Sequence, residues 1–152
     1  MARVLIVGCG CRGQALAREL VAAGHAVRGT SRVRRPAIEE AGAEAVVADP
    51  DRLATLMPAI EGVSVVCWLM GTAGSAALHT DRLESMLEHI VDTPVRGLVY
   101  ETGGLERPEG VAAARRMART YSMPVEVVDA DPANHGDWTA ATAAAVERVL
   151  SA

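Results

Sequence analysis

The sequence contains no lysine and no phenylalanine in 152 residues, and its only aromatic side chains are two tryptophans and two tyrosines. Without lysine the chain cannot form a Schiff base, cannot place a P-loop lysine on nucleotide phosphates and cannot use a Tyr–Lys proton relay. The four rings offer few platforms on which nucleic-acid bases could stack. All 15 basic side chains are arginines, so anions must be recognised by guanidinium groups and backbone amides.

The sequence also has few cysteines, no net positive charge and no long apolar runs. Cys9, Cys11 and Cys67 form an odd set that does not indicate the disulfide framework of a secreted protein. No apolar run approaches the ~20 residues of a membrane span, and the N-terminus is typical of a first strand, not of a signal peptide. The net charge of −4 and the pI near 5.5 argue against nucleic acid as a partner. We therefore expect one cytoplasmic domain over residues 1–152 that binds neither membranes nor nucleic acids.

Short β-branched runs alternate with longer helical patterns along the whole chain. The runs predict six strands, at residues 3–7, 26–29, 45–48, 63–69, 95–100 and 125–128. The helical patterns cover residues 12–23, 36–41, 51–60, 75–91, 109–121 and 139–150, and Asp49 or Asp51 is the expected cap of the third helix. This alternation predicts an α/β, three-layer, doubly wound Rossmann fold with a six-stranded parallel sheet in the order 3-2-1-4-5-6.

A glycine-rich loop follows the first predicted strand and opens the first predicted helix. Gly8, Gly10 and Gly13 match the pattern G-x-G-x-x-G in the strand–loop–helix context that a dinucleotide-binding fingerprint requires. The first glycine permits the tight turn, the second lets the backbone approach a pyrophosphate, and the third lets helix and strand pack closely. With Cys11 and Arg12 at the helix N-terminus, these glycines are the predicted phosphate-binding residues. The alternative is a tight turn without a ligand.

The end of the second predicted strand indicates which dinucleotide binds. An NAD site places an acidic residue there for the ribose 2′-hydroxyl, but the first carboxylate after this strand is Glu39. Ser31 and Arg32 are instead the predicted ligands of a 2′-phosphate, with Arg28 and Arg34 as helpers. We therefore expect NADP as the cofactor, with NAD as the alternative. A solvated basic loop is the interpretation without a ligand.

Several stretches resemble the NAD-dependent epimerase/dehydratase family, which comprises the extended and atypical short-chain dehydrogenases/reductases. They are VLIVGCGCRGQALAREL at residues 4–20, GHAVRGTSR at 24–32, GLVYETGG at 97–104 and PVEVV at 124–128. The resemblance covers nearly the whole chain and implies an NAD(P)-binding Rossmann fold. It also implies that Asp49 lies at the adenine, that Leu69, Met70 and Gly71 pass along the adenosine, and that Thr102 is the active-site residue.

The chain departs from this family at the catalytic pair. The family's Tyr-x-x-x-Lys motif should fall at or just before the fifth predicted helix, where residues 105–117 contain neither tyrosine nor lysine. Tyr121 stands at the far end of that helix. Without this pair the family's usual proton relay cannot operate. We also expect no substrate-binding extension of the kind that the extended members carry.

Other polar residues are weaker candidates. Glu101 is the expected carboxylate for substrate contact, and His135 or Asp137 is a candidate acid–base group. The alternative is that Asp137 caps the last helix and Trp138 packs in its first turn. His79 and His89 are interpreted as members of a solvated helix face. The cysteines are interpreted as small core residues, with a redox pair as the alternative. No metal site is expected, because no nearby histidine completes a ligand set.

Two functions remain open from the sequence. The first is an NADP(H)-binding, oxidoreductase-like protein that acts on an unknown small-molecule substrate with non-standard catalytic residues. The second is a non-catalytic dinucleotide sensor, or a subunit that binds a partner protein through the same fold. The glycine loop fits both functions, and a homodimer is compatible with either.

Overall fold

A parallel six-stranded sheet forms the centre of the molecule. We describe it from a computed structural model, which describes residues 2–71 and 76–152. The strands lie in the order β3-β2-β1-β4-β5-β6, which confirms the predicted α/β Rossmann topology. Their bounds are Arg3–Val7 (β1), Ala26–Ser31 (β2), Glu44–Val47 (β3), Val65–Trp68 (β4), Gly97–Glu101 (β5) and Val125–Val128 (β6).

Helices cover both faces of this sheet. Within the described residues they are Cys11–Ala22 (α1), Pro36–Glu40 (α2), Leu53–Ile60 (α3), Asp81–Ile90 (α4), Pro108–Tyr121 (α5) and His135–Ser151 (α6), with a 3₁₀ helix at Ala76–His79. A membrane span would need a longer and more apolar helix than any in this part of the chain.

Alternate side chains of the strands belong to two separate cores. In β1, Val4 and Ile6 face α1, α2 and α6, whereas Leu5 and Val7 face α3, α4 and α5. All four side chains are fully buried. This is the pattern of a central parallel strand that is covered on both sides, and it explains why the strand reads as an unbroken apolar run.

Parallel pairing brings the carboxyl ends of the strands to one edge of the sheet. Ile6 in β1 pairs with Gly29 in β2 and with Cys67 in β4, and Cys67 pairs with Val99 in β5. The loops after these strands therefore leave the sheet side by side, at the edge where open α/β sheets bind ligands. All the residues predicted to bind a cofactor lie at this edge, in the loops after β1 to β4, at the end of β2 or in the first turn of α1.

The predicted helix over residues 75–91 is interrupted. Residue 75 lies outside the described residues, Ala76–His79 form the 3₁₀ helix, and α4 begins only at Asp81. The indole Nε1 of Trp68 donates to the carbonyl oxygen of Leu78 at 2.8 Å. This prediction was wrong because a side chain from the buried strand takes a carbonyl that a continuous helix would use for its own ladder.

The last helix begins at His135, four residues earlier than predicted. Asn134 occupies its N-cap position; the Asn134 carbonyl accepts from the Trp138 N–H at 2.9 Å, and the Asn134 amide donates to the Asp137 carboxylate at 2.6 Å. Asp137 therefore supports the helix start from inside the first turn. Both His135 and Asp137 are exposed.

Candidate functional site

A cavity of about 530 Å³ lies at the carboxyl edge of β1, β2 and β3. Ten of the eleven residues predicted to bind the cofactor line it: Gly8, Gly10, Cys11, Arg12, Gly13, Ser31, Arg32, Asp49, Leu69 and Met70. The remaining lining residues, which sequence reasoning did not assign to the cofactor, are Cys9, Thr30, Arg35, Ala48, Pro50, Asp51 and Leu78. The eleventh predicted residue, Gly71, and the predicted catalytic residue, Thr102, lie outside this lining.

The glycine loop has the shape that the fingerprint requires. Gly8 has a φ of +84°, and a Cβ there would lie 2.9 Å from the carbonyl oxygen of Leu69. A Cβ on Gly13 would lie 3.2 Å from the Cys9 sulfur, so this glycine lets α1 approach the sheet. A Cβ on Gly10 would meet no described atom within 4 Å. The space over Gly10 is therefore open, as the approach of a pyrophosphate demands.

The N-terminus of α1 faces the same open space. Gly10 occupies the N-cap position and has no side chain with which to cap the helix. The Gly8 N–H donates to the Thr30 hydroxyl at 3.2 Å, and the Cys9 N–H donates to the Thr30 carbonyl at 2.8 Å. Thr30 thus ties the loop to β2. The amides of the first turn and the positive end of the helix dipole are the elements of a phosphate-binding site.

Two guanidinium groups and a hydroxyl line the cavity just beyond β2. Arg32 and Arg35 are exposed there, and Arg35 Nε donates to the Ser31 hydroxyl at 3.2 Å. Arg34 was the predicted helper at this position, and Arg35 was not predicted to contribute. The structure places Arg35 at the cavity and leaves Arg34 out of the described lining, because the turn before α2 folds residue 35 back onto residue 31.

Arg28 is the second predicted helper that the structure places elsewhere. Its guanidinium pairs with Glu44 at 2.9 Å and donates to the carbonyl oxygen of Ala59 at 2.6 Å. These contacts join β2 to β3 and to the end of α3, away from the glycine loop. The prediction was wrong because Arg28 lies three residues before the end of the strand, too early to reach the carboxyl edge.

Asp49 reaches the cavity from the loop after β3. Its N–H donates to the Thr55 hydroxyl at 2.8 Å, and its Oδ1 accepts from the Asp51 N–H at 2.9 Å. These bonds build a turn before α3, which begins at Leu53 with Arg52 in the N-cap position. Neither aspartate caps the helix as predicted, and Asp49 is held by the turn at the cavity wall.

The end of β5 carries a fully buried carboxylate. The Glu101 side chain is 0% exposed and accepts hydrogen bonds from Arg12, from Trp138 Nε1 at 2.9 Å and from the Gly71 N–H at 3.1 Å. The Arg12 guanidinium also lies 5.0 Å from the centre of the Trp138 ring, a cation–π distance. Glu101 was expected to contact substrate, but these donors already hold its carboxylate.

A second cavity, of about 610 Å³, lies beyond the ends of β5 and β6. Its lining is Thr102, Gly104, Leu105, Glu106, Arg107, Pro108, Val111, Ala112 and Asp129. Thr102 is buried, and its hydroxyl donates to the carbonyl oxygen of Val128 at 3.4 Å. Arg107 donates to the Gly71 carbonyl at 2.6 Å and to the Thr102 carbonyl at 3.2 Å. The predicted catalytic residue therefore faces a different cavity from the glycine loop.

His79 is buried, contrary to the expectation of a solvated face, whereas His89 is exposed. His79 Nδ1 lies 2.6 Å from the Tyr100 hydroxyl, and the two rings meet edge to face. Burial, helped by the nearby Arg107 charge, lowers the pKa of His79 from its usual 6.5, and burial raises the pKa of Tyr100 to about 12. Both side chains are therefore neutral at pH 7 and belong to the core.

The three cysteines have different surroundings, and all are free thiols. Cys9 and Cys67 are buried; burial raises the pKa of Cys9 to about 11 and also raises the pKa of Cys67. Both thiols are therefore protonated core groups, as sequence reasoning expected. Cys11 is instead exposed at the first turn of α1, so the expectation of a core residue was wrong for this cysteine. Within residues 2–71 and 76–152 no cluster of three or more metal-ligating side chains occurs.

Solved structures share this fold, although no family model matches the sequence and no curated protein matches it either. Vestitone reductase from alfalfa superposes with a TM-score of 0.62 and 15% identity, over 84% of this chain and 56% of its own. A short-chain dehydrogenase/reductase superfamily protein from Agrobacterium tumefaciens, with bound NAD, superposes with a TM-score of 0.61 and 22% identity, over 82% of this chain and 48% of its own. UDP-glucose 4-epimerase from Thermotoga maritima superposes with a TM-score of 0.63 and 14% identity, over 82% of this chain and 54% of its own.

Many of the solved structures that match are short-chain dehydrogenases/reductases and NAD-dependent epimerases/dehydratases. At these identities the similarity establishes the fold: the chain has the Rossmann architecture found in those proteins. It spans about half the length of the three structures described above.

The two sides of the crevice differ in how well they fit a dinucleotide, which Rossmann folds bind as two mononucleotide halves. The open half is the first cavity, where the glycine loop, two guanidinium groups and an apolar wall fit an adenosine phosphate. The closed half, between the ends of β4 and β5, consists of Arg12, Gly71, Glu101 and Trp138. Among the described residues, those of the open half fit the adenosine end of a dinucleotide, and the four that form the closed half leave no room between them for a nicotinamide ring.

Proposed function

We propose that this protein binds NADP(H) through the open half, and that it is an oxidoreductase-like member of the NAD-dependent epimerase/dehydratase family. The observation that carries the proposal is that Ser31, Arg32 and Arg35 line the same cavity as the glycine loop. The loop supplies the amides for the pyrophosphate. The two arginines supply the charge for a phosphate on the adenosine ribose.

A 2′-phosphate fits the end of β2 better than a free 2′-hydroxyl does. Guanidinium groups bind phosphate through paired, charge-assisted hydrogen bonds, and Arg35 is already oriented by its bond to Ser31. No carboxylate occurs between the end of β2 and Glu39, so the ribose-binding acid of an NAD site is missing. NADP(H) is therefore the proposed cofactor and NAD(H) the weaker ligand.

Titration calorimetry with NADPH and NADH tests this assignment. Arg32→Ala and Arg35→Ala should each weaken NADPH by about 10-fold or more and NADH by less than about 3-fold, because only NADPH carries the 2′-phosphate. Arg34→Ala is the matched control, since Arg34 is exposed and lies outside the described lining. Equal losses for both nucleotides would contradict the 2′-phosphate assignment. Absence of binding by either nucleotide would contradict the proposal as a whole.

Binding without turnover is the second candidate function, and one observation supports it. The segment at the start of α5 contains neither tyrosine nor lysine, and Tyr121 is the last residue of that helix. The common proton relay therefore has no counterpart there. If the protein does catalyse a reaction, Thr102 is the candidate catalytic residue, since it lines the second cavity with Arg107 and Asp129.

Oxidation of NADPH with a panel of aldehydes, ketones and nucleotide sugars separates the two candidates. Turnover that Thr102→Val abolishes, while NADPH affinity stays unchanged, supports the oxidoreductase. Tight NADPH binding with no turnover across the panel supports the sensor.

A further inference from the structure

We infer that the Arg12–Glu101 ion pair is a gate, which keeps the closed half shut and must open before the nicotinamide end of a dinucleotide binds. The inference rests on the proposed function, because it concerns the same crevice and the same ligand. It goes further by assigning different affinities to the two ends of that ligand.

The pair spans the boundary at which the strand order reverses. Arg12 lies in the first turn of α1, beside the glycine loop, and Glu101 is the last residue of β5. The Gly71 N–H, just after β4, donates to Glu101 at 3.1 Å. The pair therefore runs from the end of β1 across β4 to β5. That is the direction in which a dinucleotide leaves the phosphate-binding loop for the second half of the crevice.

The loops below the pair are packed too closely to admit a ring. A Cβ on Gly71 would lie 2.9 Å from the Glu101 carboxyl carbon and would overlap the backbone of Gly103. Trp138 covers the pair from α6 by a hydrogen bond to Glu101 and by its ring face over Arg12. A nicotinamide ring can enter this half only if these side chains move.

The two partners are not equally fixed, and this asymmetry determines how the gate opens. Glu101 is 0% exposed, whereas the Arg12 side chain is 18% exposed and also lines the open half. The nicotinamide-side phosphate of a dinucleotide, which an adenosine bisphosphate lacks, would compete for the guanidinium, because Arg–phosphate bonds are charge-assisted. If Arg12 moved to the phosphate, Glu101 would keep the donors from Trp138 and Gly71. Opening therefore consists of a movement of Arg12 towards the ligand.

Calorimetry with a whole ligand and with its adenosine end alone tests the gate. The probes are NADPH and adenosine 2′,5′-bisphosphate. In the wild-type protein the two affinities should agree within about 3-fold, because the cost of opening exceeds the gain at the nicotinamide end and this end stays largely unbound. Glu101→Gln removes the charge that holds Arg12 and keeps a side chain of the same shape. It should tighten NADPH by about 10-fold and change the bisphosphate by less than about 2-fold.

Two further variants control this experiment. Glu126→Gln makes the same change in the surface pair with Arg148 and should alter neither affinity. Trp138→Phe keeps an aromatic ring in the core and removes the hydrogen bond to Glu101 together with part of the buried ring system. It should move the affinities in the same direction as Glu101→Gln by a smaller factor, and it provides the test if Glu101→Gln does not fold.

Three results would overturn the gate, and they are distinguishable. NADPH that binds the wild-type protein more than about 10-fold tighter than the bisphosphate shows that the closed half already accepts nicotinamide. Weaker NADPH binding by Glu101→Gln shows that Glu101 holds the dinucleotide. Neither result affects the proposed function. Failure of both probes to bind the wild-type protein removes the proposed function and the gate together.

Discussion

The open half and the closed half of the crevice lie side by side on one sheet, but they are built in different ways. In the open half, backbone amides, glycines and exposed arginines surround a cavity of about 530 Å³. In the closed half, a buried carboxylate is already satisfied by an arginine, an indole and a backbone amide. Under the proposed function, the glycine fingerprint therefore accounts for a phosphate site and does not account for a whole dinucleotide site.

The largest effect on stability should come from removing the ion pair of the closed half. Arg12→Ala leaves the Glu101 carboxylate buried without its cation, which costs about 3–5 kcal/mol of unfolding free energy in comparable buried pairs. Urea unfolding measures this loss. Arg148→Ala, which breaks the exposed pair with Glu126, should cost less than about 1 kcal/mol. Equal costs for the two variants would show that the closed half is no better ordered than the surface.

The next effect concerns the framework of the open half. Gly8→Ala puts a Cβ at a φ of +84° and within 2.9 Å of the Leu69 carbonyl, so we expect a loss of about 1–3 kcal/mol. Thermal and urea unfolding measure it. Unchanged stability would mean that the loop can adopt another shape, and the shape argued for the phosphate site would be wrong.

Gly10→Ala separates binding from folding in the same loop. A Cβ at Gly10 enters open space, so stability should fall by only about 1 kcal/mol, the typical cost of placing alanine at an N-cap. NADPH affinity should nevertheless fall by about 10-fold, because the methyl group occupies the place of the pyrophosphate. Retention of full affinity by a folded Gly10→Ala protein would place the phosphates elsewhere.

A smaller effect, on the pH dependence of stability, comes from His79, which contacts Tyr100 in the core on the α4 and α5 side of the sheet. Burial lowers the pKa of His79 in the folded protein from its usual 6.5. At a pH between the folded and the unfolded pKa, the unfolded chain therefore binds a proton that the folded protein does not. Stability should therefore fall as the pH drops below about 6.5. Urea unfolding from pH 7 to pH 5 should show a shallower decline in His79→Gln than in the exposed-site control His89→Gln. Parallel declines in both variants would show that His79 titrates normally.

The open half could be predicted from the sequence because its signals are local. Gly8, Gly10 and Gly13 lie within six consecutive positions, and the strand and helix around them are strongly patterned. Ser31 and Arg32 follow directly from the end of β2. Arg35 was missed, because its contact with Ser31 depends on a turn whose direction no periodicity encodes.

The closed half could not be predicted because its contacts are distant in sequence. Arg12 and Glu101 are 89 positions apart, and Trp138 reaches Glu101 across 37 positions. The residues around each of the three predict a different role: a phosphate ligand for Arg12, a substrate-contacting carboxylate for Glu101 and part of a helix start for Trp138. Only the packing of α1 and α6 on the same face of the sheet brings the three together.

Saturation-transfer difference NMR on NADPH bound to the wild-type protein tests the contrast between the halves most directly. It measures how closely each proton of the ligand approaches the protein. Strong transfer to the adenine protons, with nicotinamide protons at less than about one third of that level, is the predicted result, because only the open half holds its ligand closely. Equal transfer to both rings would contradict the account.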